Sequence, residues 1–371
     1  MKNQLNIVLK EVCEQGLAKG VFPGVSAAIS MRKNNEYHRG VFSGGLTRNG
    51  YESVQVNTAT YFDLASLTKP LCTTLCTLSL IDSGMLTWHE PCLGVLEQSI
   101  KAEKLEITCH NIIHHSSGLP AYHPYFSQFA PVSSPVNKVV IRDLILAEPF
   151  QYKPDTQCLY SDLGFIVLGQ VIEKLTGSTL DHIYRTTILT PLHLEEKLRF
   201  LPVSENIAFD KHQIAATEKC DWRHIVIQGE VHDENCWLMG GVCGHAGLFG
   251  TVGGVQLLCE FLLDCWHGRK SHPAFGSELL CHALQWSDGE NSWRLGFDSP
   301  SAGQSSSGRY LSPSSVGHLG FTGTSFWIDP EQDIVVVLLT NRVHPTRENV
   351  KIRAFRPFFH DYLIEGINRM Q

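Results

Sequence analysis

The chain has no cluster of basic residues and no long apolar run. Its 371 residues include 30 Lys and Arg against 37 Asp and Glu, a formal net charge of -7 at pH 7, and the charges are spread along the sequence. Because a nucleic-acid surface needs concentrated positive charge, no nucleic-acid partner is expected. The most apolar run, Ile334 to Leu339, has the length of a strand, whereas a membrane-spanning helix needs about 20 residues. We therefore expect no membrane partner.

The cysteines show no pattern that binds metal or forms a disulfide framework. There are twelve of them, but none belongs to a Cys-x-x-Cys pair and they are not clustered. We expect most to be small buried side chains in a reduced compartment. The first residues lack the order of a secretory signal and have the pattern of an amphipathic helix. The sequence thus predicts a cytoplasmic protein, and 43% apolar residues are sufficient for a substantial core.

Both ends of the chain predict elements of one sheet. Strands over 22–30 and 37–42 predict an antiparallel hairpin after the first helix. The elements predicted near the other end are a strand over 317–328, a turn over 329–333, a buried strand over 334–340 and a helix over 350–368. The predicted apolar face of that helix comprises Ile352, Phe355, Phe358, Phe359 and Leu363.

These elements predict an α/β fold of the α+β type. An antiparallel sheet shared by both ends would be flanked by the N- and C-terminal helices, and a mainly helical region, most of 125–240 included, would be inserted into it. We predict a single unit over 1–371. Its sheet part takes about 1–65 and 245–371, and its helical part takes about 66–244.

A hydroxyl and an amine lie one helical turn apart in the segment Asp63-Leu-Ala-Ser66-Leu-Thr-Lys69-Pro70. Residues 67–82 predict a buried helix that Gly84 ends. Positions i and i+3 are neighbours on a helix, and a lysine shielded from water can take the proton of a serine hydroxyl. Ser66 is therefore a candidate nucleophile and Lys69 a candidate base, although Ser-x-x-Lys also occurs in ordinary helix turns.

Two further segments each permit two interpretations. Tyr160 and Asp162 precede a helix that Gly177 ends, so they either project into a cleft or serve as a packing residue and an N-cap. The glycine-rich stretch 239–251 allows a close approach of backbone. What approaches it is either a substrate or a packed neighbouring element.

Three histidines, His110, His114 and His115, lie close together in the sequence. Positions i and i+4 share a helix face, as in some zinc sites. No Glu lies between them, however, and no carboxylate follows at a set spacing. We therefore expect no metal at these histidines.

Three short motifs carry a resemblance to a known family. Ser66-Leu-Thr-Lys69, Tyr160-Ser-Asp162 and His318-Leu-Gly320, in this order, resemble the motifs of the serine β-lactamase and penicillin-binding-protein superfamily. The resemblance is strongest to class C-like β-lactamases, DD-peptidases and related esterases, and it extends over nearly the whole chain. The segments 232–235 and 244–249 further resemble a subgroup that includes cytoplasmic muropeptide amidases of cell-wall recycling. The resemblance implies a β-lactamase/transpeptidase-like fold and a reaction that requires no metal or cofactor.

The same resemblance implies a role for each motif residue. Ser66 would be acylated, Lys69 would be its general base, and Tyr160 would relay a proton to or from the leaving group. The backbone N–H groups of Ser66 and Phe321 would form the oxyanion hole. The residues that would contact a small-molecule or peptide-like substrate are Asp162, His245, His318, Gly320 and Thr322.

Two positions depart from the family's usual motifs. His318 replaces the lysine of Lys-Thr-Gly with a group that is largely neutral above about pH 6.5, and it would hold a β-lactam carboxylate less firmly. Asp162 replaces an asparagine. When ionised, it either holds Lys69 as an ammonium or receives an N–H or ammonium group from the substrate.

These departures argue against an efficient penicillin-destroying enzyme. We expect a serine hydrolase that cleaves a peptide-like amide or an ester through an acyl-enzyme, with muropeptides as the preferred substrates. The alternatives are a true β-lactamase, a carboxylesterase, and a penicillin-binding or sensor protein that acylates once without turnover.

Overall fold

The computed structural model describes residues 2–96, 100–203, 210–289 and 291–369. Its strands are β1 Gly24–Lys33, β2 Glu36–Gly45, β3 Phe62–Asp63, β4 Leu198–Phe200, β5 Lys219–Cys220, β6 Ile225–Val226, β7 Leu248–Gly250, β8 Val316–Leu319, β9 Ser325–Asp329 and β10 Ile334–Thr340. Its α-helices are α1 Lys2–Ala18, α2 Leu75–Asp82, α3 Ala102–Leu105, α4 Cys109–Ile113, α5 Asn137–Ala147, α6 Asp162–Thr176, α7 Leu180–Ile183, α8 Glu234–Leu238, α9 Val252–Trp266, α10 Ser277–Gln285 and α11 Ile352–Asn368.

The main sheet joins the two ends of the chain. Its five strands lie in the order β2-β1-β10-β9-β8, and all neighbours are antiparallel. β1 pairs with β10 from Val25 opposite Thr340 to Met31 opposite Ile334. The predicted antiparallel sheet shared by both ends is therefore confirmed. The proposed boundaries between a sheet part and a helical part remain a prediction.

Both faces of this sheet are covered, which explains the uninterrupted apolar run of β10. Successive residues of a strand face opposite sides. Val336 and Leu338 pack with Leu9 of α1 and Phe359 of α11, whereas Val337 belongs to the larger core on the other face. Each such buried aliphatic side chain contributes about 1.5–3 kcal/mol to folding.

The structure divides the strand predicted over 317–328 into β8 and β9, with a turn at 320–324 between them. Gly323 has a φ of 100°, a conformation that residues with a Cβ disfavour. A Cβ on Gly320 would lie 2.0 Å from Thr324 Oγ1. The single-strand prediction was wrong because these two glycines form a turn that returns the chain beside β8.

The inserted region contains fewer helices than predicted for 125–240. Segments 148–161 and 214–233 are irregular, apart from the short pair β5 and β6. Their buried residues, such as Ile227 and Val231, face neighbouring elements individually and do not form one helix stripe. The helical prediction was wrong for these segments because burial alone does not specify periodic structure.

Helix α11 buries the predicted face with one exception. Ile352, Phe355, Phe359 and Leu363 are buried, whereas Phe358 is 37% exposed because it lies at the edge of the stripe. None of the helices within the described ranges combines the length and apolar content that a bilayer crossing requires.

Candidate active site

The first motif lies on a strained turn after β3. Ser66 lies in a 3₁₀ turn, and a π-helical segment, Lys69–Thr74, leads into α2, so the regular helix predicted from residue 67 begins only at Leu75. Ala65 has a left-handed φ of 49°, which costs an L-residue about 1–2 kcal/mol. The Asp63 carboxylate stabilises the turn because it accepts the Ala65 N–H at 2.8 Å. The turn leaves Ser66 partly exposed while its neighbours are buried.

The amine of Lys69 lies among three partners. Its Nζ lies 3.0 Å from Ser66 Oγ, 3.0 Å from the carbonyl oxygen of His245 and 2.7 Å from Asp162 Oδ1. Complete burial would lower the pKa of Lys69, but Asp162 and Tyr160 raise it above its ordinary value. Lys69 is therefore an ammonium in this arrangement, and it donates a hydrogen bond to Ser66.

The second motif places Asp162 against Lys69. Ser161 caps α6, since its Oγ accepts the N–H of Gly164 at 3.1 Å, and the predicted end of this helix at Gly177 is confirmed by a left-handed φ of 64°. The N-cap interpretation of Asp162 was therefore wrong. Of the two roles considered for its carboxylate, the structure shows the contact with Lys69.

Aromatic rings surround Tyr160. The His115 ring centroid lies 4.7 Å from that of Tyr160, and the Trp293 ring stacks on Tyr160 at 5.2 Å. His115 Nδ1 also accepts the Ser161 N–H at 3.2 Å. Burial raises the pKa of Tyr160 although Lys69 lowers it. The phenol is therefore protonated at neutral pH, and His115 supports the second motif by packing against Tyr160.

The third motif presents a neutral imidazole. His318 is 3% exposed, and burial together with the Lys69 charge lowers its pKa to about 3. Its Nδ1 lies 2.9 Å from the Leu319 carbonyl oxygen, whereas its buried Nε2 has no partner among the described residues. Gly320 permits a close approach, because a Cβ there would lie 2.7 Å from the Leu64 carbonyl oxygen.

A cavity of about 660 Å³ opens in front of these motifs. The predicted site residues that line it are Ser66, Tyr160, Asp162, His245, His318, Gly320 and Phe321. Lys69 lies behind Ser66. Thr322 is not brought to the cavity, since it is 1% exposed and its hydroxyl donates to the Asp63 carbonyl at 2.7 Å. The oxyanion hole of the Ser66 and Phe321 N–H groups remains a prediction.

The sequence analysis missed the role of an acidic and histidine network in the wall of the cavity. His245 Nε2 lies 3.0 Å from Asp233 Oδ1. Burial would lower the pKa of His245, but Asp233 raises it. Glu234 forms an ion pair with Arg347, which also contacts Glu218 at 2.5 Å. The family resemblance of 232–235 was the available signal, but it did not indicate these contacts.

Three arginines that the motifs did not indicate also line the cavity, Arg342, Arg353 and Arg356. Arg342 and Arg356 donate to backbone carbonyl groups of the 320–324 turn. Arg356 Nε is buried with no hydrogen-bond partner among the described residues. Within the described part of the chain, none of these three arginines forms an ion pair. The four arginines between 342 and 356 are close together in the sequence, and this spacing could have indicated a group of positive charges.

Comparison with known proteins identifies the family. Residues 9–356 match the family model described as Beta-lactamase, so the chain belongs to the β-lactamase family. A protein of Salmonella gallinarum is 30% identical over 322 residues, which cover 81% of this chain and 73% of that protein. A Salmonella paratyphi A protein is 31% identical with the same coverage. Both are named "Putative D-alanyl-D-alanine carboxypeptidase".

Solved structures show the same fold. EstCE1, a hydrolase with promiscuous acyltransferase activity, superposes with a TM-score of 0.71 at 18% identity and covers 96% of this chain and 99% of its own. A class C β-lactamase gives 0.71 at 15% identity over 96% of each chain. An octameric penicillin-binding protein homologue from Pyrococcus abyssi gives 0.68 at 20% identity, over 93% of this chain and 75% of its own. The chain is a serine hydrolase of this family with a β-lactamase/transpeptidase-like fold.

Proposed function

We propose that this hydrolase cleaves a peptide-like amide that carries a free carboxylate, a cell-wall muropeptide in the first instance, through an ester on Ser66. The observation that carries the proposal is the convergence of Ser66, Lys69 and Tyr160 beside a cavity that is also lined by arginines without acidic partners among the described residues. The carboxypeptidase names of the Salmonella relatives support a peptide with a terminal carboxylate.

Proton transfer in this site begins from an ion pair. An ammonium has no lone pair, so Lys69 takes the Ser66 proton only after it gives one of its own to Asp162, 2.7 Å away. As Ser66 Oγ bonds to the substrate carbonyl carbon, its proton passes to the neutral Lys69 amine. Tyr160 then protonates the leaving nitrogen and recovers its proton from Lys69. In the second step, water gives a proton to the Lys69 amine and attacks the ester, and Ser66 regains its hydroxyl.

The charge of the substrate follows from the arginines that line the cavity. His318 is neutral at physiological pH, so the third motif supplies no cation. Arg353 is exposed and lines the cavity, and a guanidinium pairs with a carboxylate through strong charge-assisted hydrogen bonds. A substrate carboxylate beside Arg353 would balance a charge that the described residues leave unpaired.

The proposal includes a cytoplasmic location and a part in peptidoglycan recycling, with no nucleic-acid or membrane partner. All twelve cysteines are free thiols, and ten of them are buried. Proteins of oxidising compartments tend to use such cysteines in disulfides, so free thiols support a reduced compartment. The resemblance of 232–235 and 244–249 to muropeptide amidases supports the pathway class.

The test compares the wild-type protein with Ser66→Ala. We expect a fluorophosphonate to label the wild type on Ser66 and not to label the variant, as read by mass spectrometry of the intact protein and its peptides. We expect sustained hydrolysis of a muramyl peptide or a peptide ending in D-Ala-D-Ala, slower hydrolysis of nitrophenyl acetate, and little or no hydrolysis of nitrocefin. A stoichiometric burst without turnover on every substrate, or nitrocefin as the preferred substrate, would contradict the proposal.

A further inference from the structure

A group of potential metal ligands lies outside the cavity. His114, Cys158 and Asp288 each present one ligand atom, and these atoms lie within 4.8 Å of one another. The three residues come from separate segments, namely the end of α4, the loop before the second motif and the loop after α10. None of them takes part in the reaction described above.

The separations of His114 Nε2 from the other two ligand atoms match a tetrahedral zinc site. His114 Nε2 lies 3.4 Å from Cys158 Sγ and 3.3 Å from Asp288 Oδ2. Zinc bonds of about 2.3 Å to sulfur, about 2.0 Å to nitrogen and about 2.1 Å to oxygen place tetrahedral ligand atoms about 3.3–3.6 Å apart. Because Sγ also lies 3.5 Å from Nδ1, a rotation of the imidazole about its Cβ–Cγ bond is needed to direct the Nε2 lone pair at the ion.

The chemistry of the three side chains favours zinc over magnesium or calcium. Thiolate and imidazole are ligands of zinc, whereas magnesium and calcium require oxygen ligands. The Asp288 side chain is 27% exposed, which gives the ion a route from solvent.

We propose that His114, Cys158 and Asp288 bind a zinc ion, with water as the fourth ligand. The ion would join two segments that meet at Tyr160. Cys158 lies two residues before Tyr160, and the loop of Asp288 leads to Trp293, whose ring stacks on Tyr160 at 5.2 Å. Zinc at this site would therefore fix the position of Tyr160 from behind, as a structural ion and not a catalytic one.

Cobalt titration of the metal-free full-length protein tests this assignment. We expect one equivalent of Co²⁺ to produce a thiolate-to-cobalt charge-transfer band, and one equivalent of Zn²⁺ to displace it and raise the unfolding temperature. Cys158→Ala should abolish the band. Asp288→Asn, at a partly exposed position, should weaken zinc binding at least about tenfold.

The matched control is Cys281→Ala. Cys158 and Cys281 are the two cysteines that are not buried, and the Cys281 thiol hydrogen-bonds to the backbone carbonyl groups of Cys265 and Trp266 in α9. This variant should bind cobalt and zinc as the wild type does. A wild-type protein without the charge-transfer band would overturn the assignment in favour of plain hydrogen bonds among the three side chains. Full zinc affinity in folded Cys158→Ala or Asp288→Asn would also overturn it.

Discussion

Two groups of charges at the cavity differ in how they are paired. In the nucleophile group, Lys69 lies against Asp162 and His245 lies against Asp233. In the arginine group, Arg342, Arg353 and Arg356 have no acidic partner within the described residues. The groups proposed to transfer protons are thus held in place before a substrate arrives, whereas the guanidinium of Arg353 is left to pair with one.

Burial separates the two groups further. Lys69 is completely buried, so the loss of either member of the Lys69–Asp162 pair leaves an uncompensated charge in a medium of low dielectric constant. Arg353 is exposed, so water compensates its charge in the free protein. Substitutions in the nucleophile group should therefore affect both activity and folding, whereas a substitution of Arg353 should affect substrate binding alone.

The largest effect is expected for Lys69→Met, which removes the ammonium group beside Ser66. The loss of its proton transfer should lower kcat/KM for any acyl substrate by about 10² to 10⁴. The matched control is Lys104→Met, because Lys104 is also completely buried but its amine lies over the Phe150 ring and not beside Ser66, and it should keep the wild-type kcat/KM. Wild-type turnover in folded Lys69→Met would show that the Lys69–Asp162 pair has no part in the chemistry.

A smaller and selective effect is expected for Arg353→Gln, which removes an exposed arginine of the arginine group. A charge-assisted hydrogen bond contributes about 1.5–3 kcal/mol, so kcat/KM for a substrate with a carboxylate should fall at least about tenfold, mainly through KM. The neutral ester nitrophenyl acetate should be unaffected.

The control for this change is Lys351→Gln, which alters the net charge equally two residues away. The Lys351 amine donates to the Lys19 carbonyl, and Lys351 does not line the cavity. This variant should keep the preference for the carboxylate. An equal fall in kcat/KM for charged and neutral substrates in Arg353→Gln would show that Arg353 does not act by binding the substrate carboxylate.

A defined change in pH dependence, in addition to the loss of rate and stability that follows from the broken ion pair with Lys69, is expected for Asp162→Asn. The carboxylate of Asp162 raises the pKa of Lys69, so its removal lets the amine lose its proton at a lower pH. The acidic limb of the kcat/KM profile should therefore move to lower pH, as measured with a neutral ester. A limb that stays in place or moves upward would mean that Lys69 is not the group that titrates.

The parts of the molecule that could be predicted from sequence are those with local signals. The strand of Ile334 to Thr340 was evident because an apolar run of this length fits a strand buried on both faces. The contact of Ser66 with Lys69 could be predicted from their i and i+3 spacing. The end of α6 at Gly177 followed from the left-handed conformation that glycine permits.

The remaining features depend on contacts between distant segments. Arg356 is a buried residue of α11. Nothing in the neighbouring sequence shows that it reaches the carbonyl groups of Gly320 and Thr324. Asp233 precedes a short helix as its N-cap, and its contact with His245 depends on the path of the glycine-rich stretch. Thr322 follows the third motif in sequence, but the turn directs its hydroxyl to the Asp63 backbone.

The pairing of β1 with β10 has a consequence for synthesis. The hairpin of β1 and β2 is translated well before the partner of its inner edge, Ile334–Thr340. An unpaired strand edge can associate with other chains, and sheets built from distant segments form slowly. We expect the nascent hairpin to need protection by a chaperone until β10 has been translated and can pair with it.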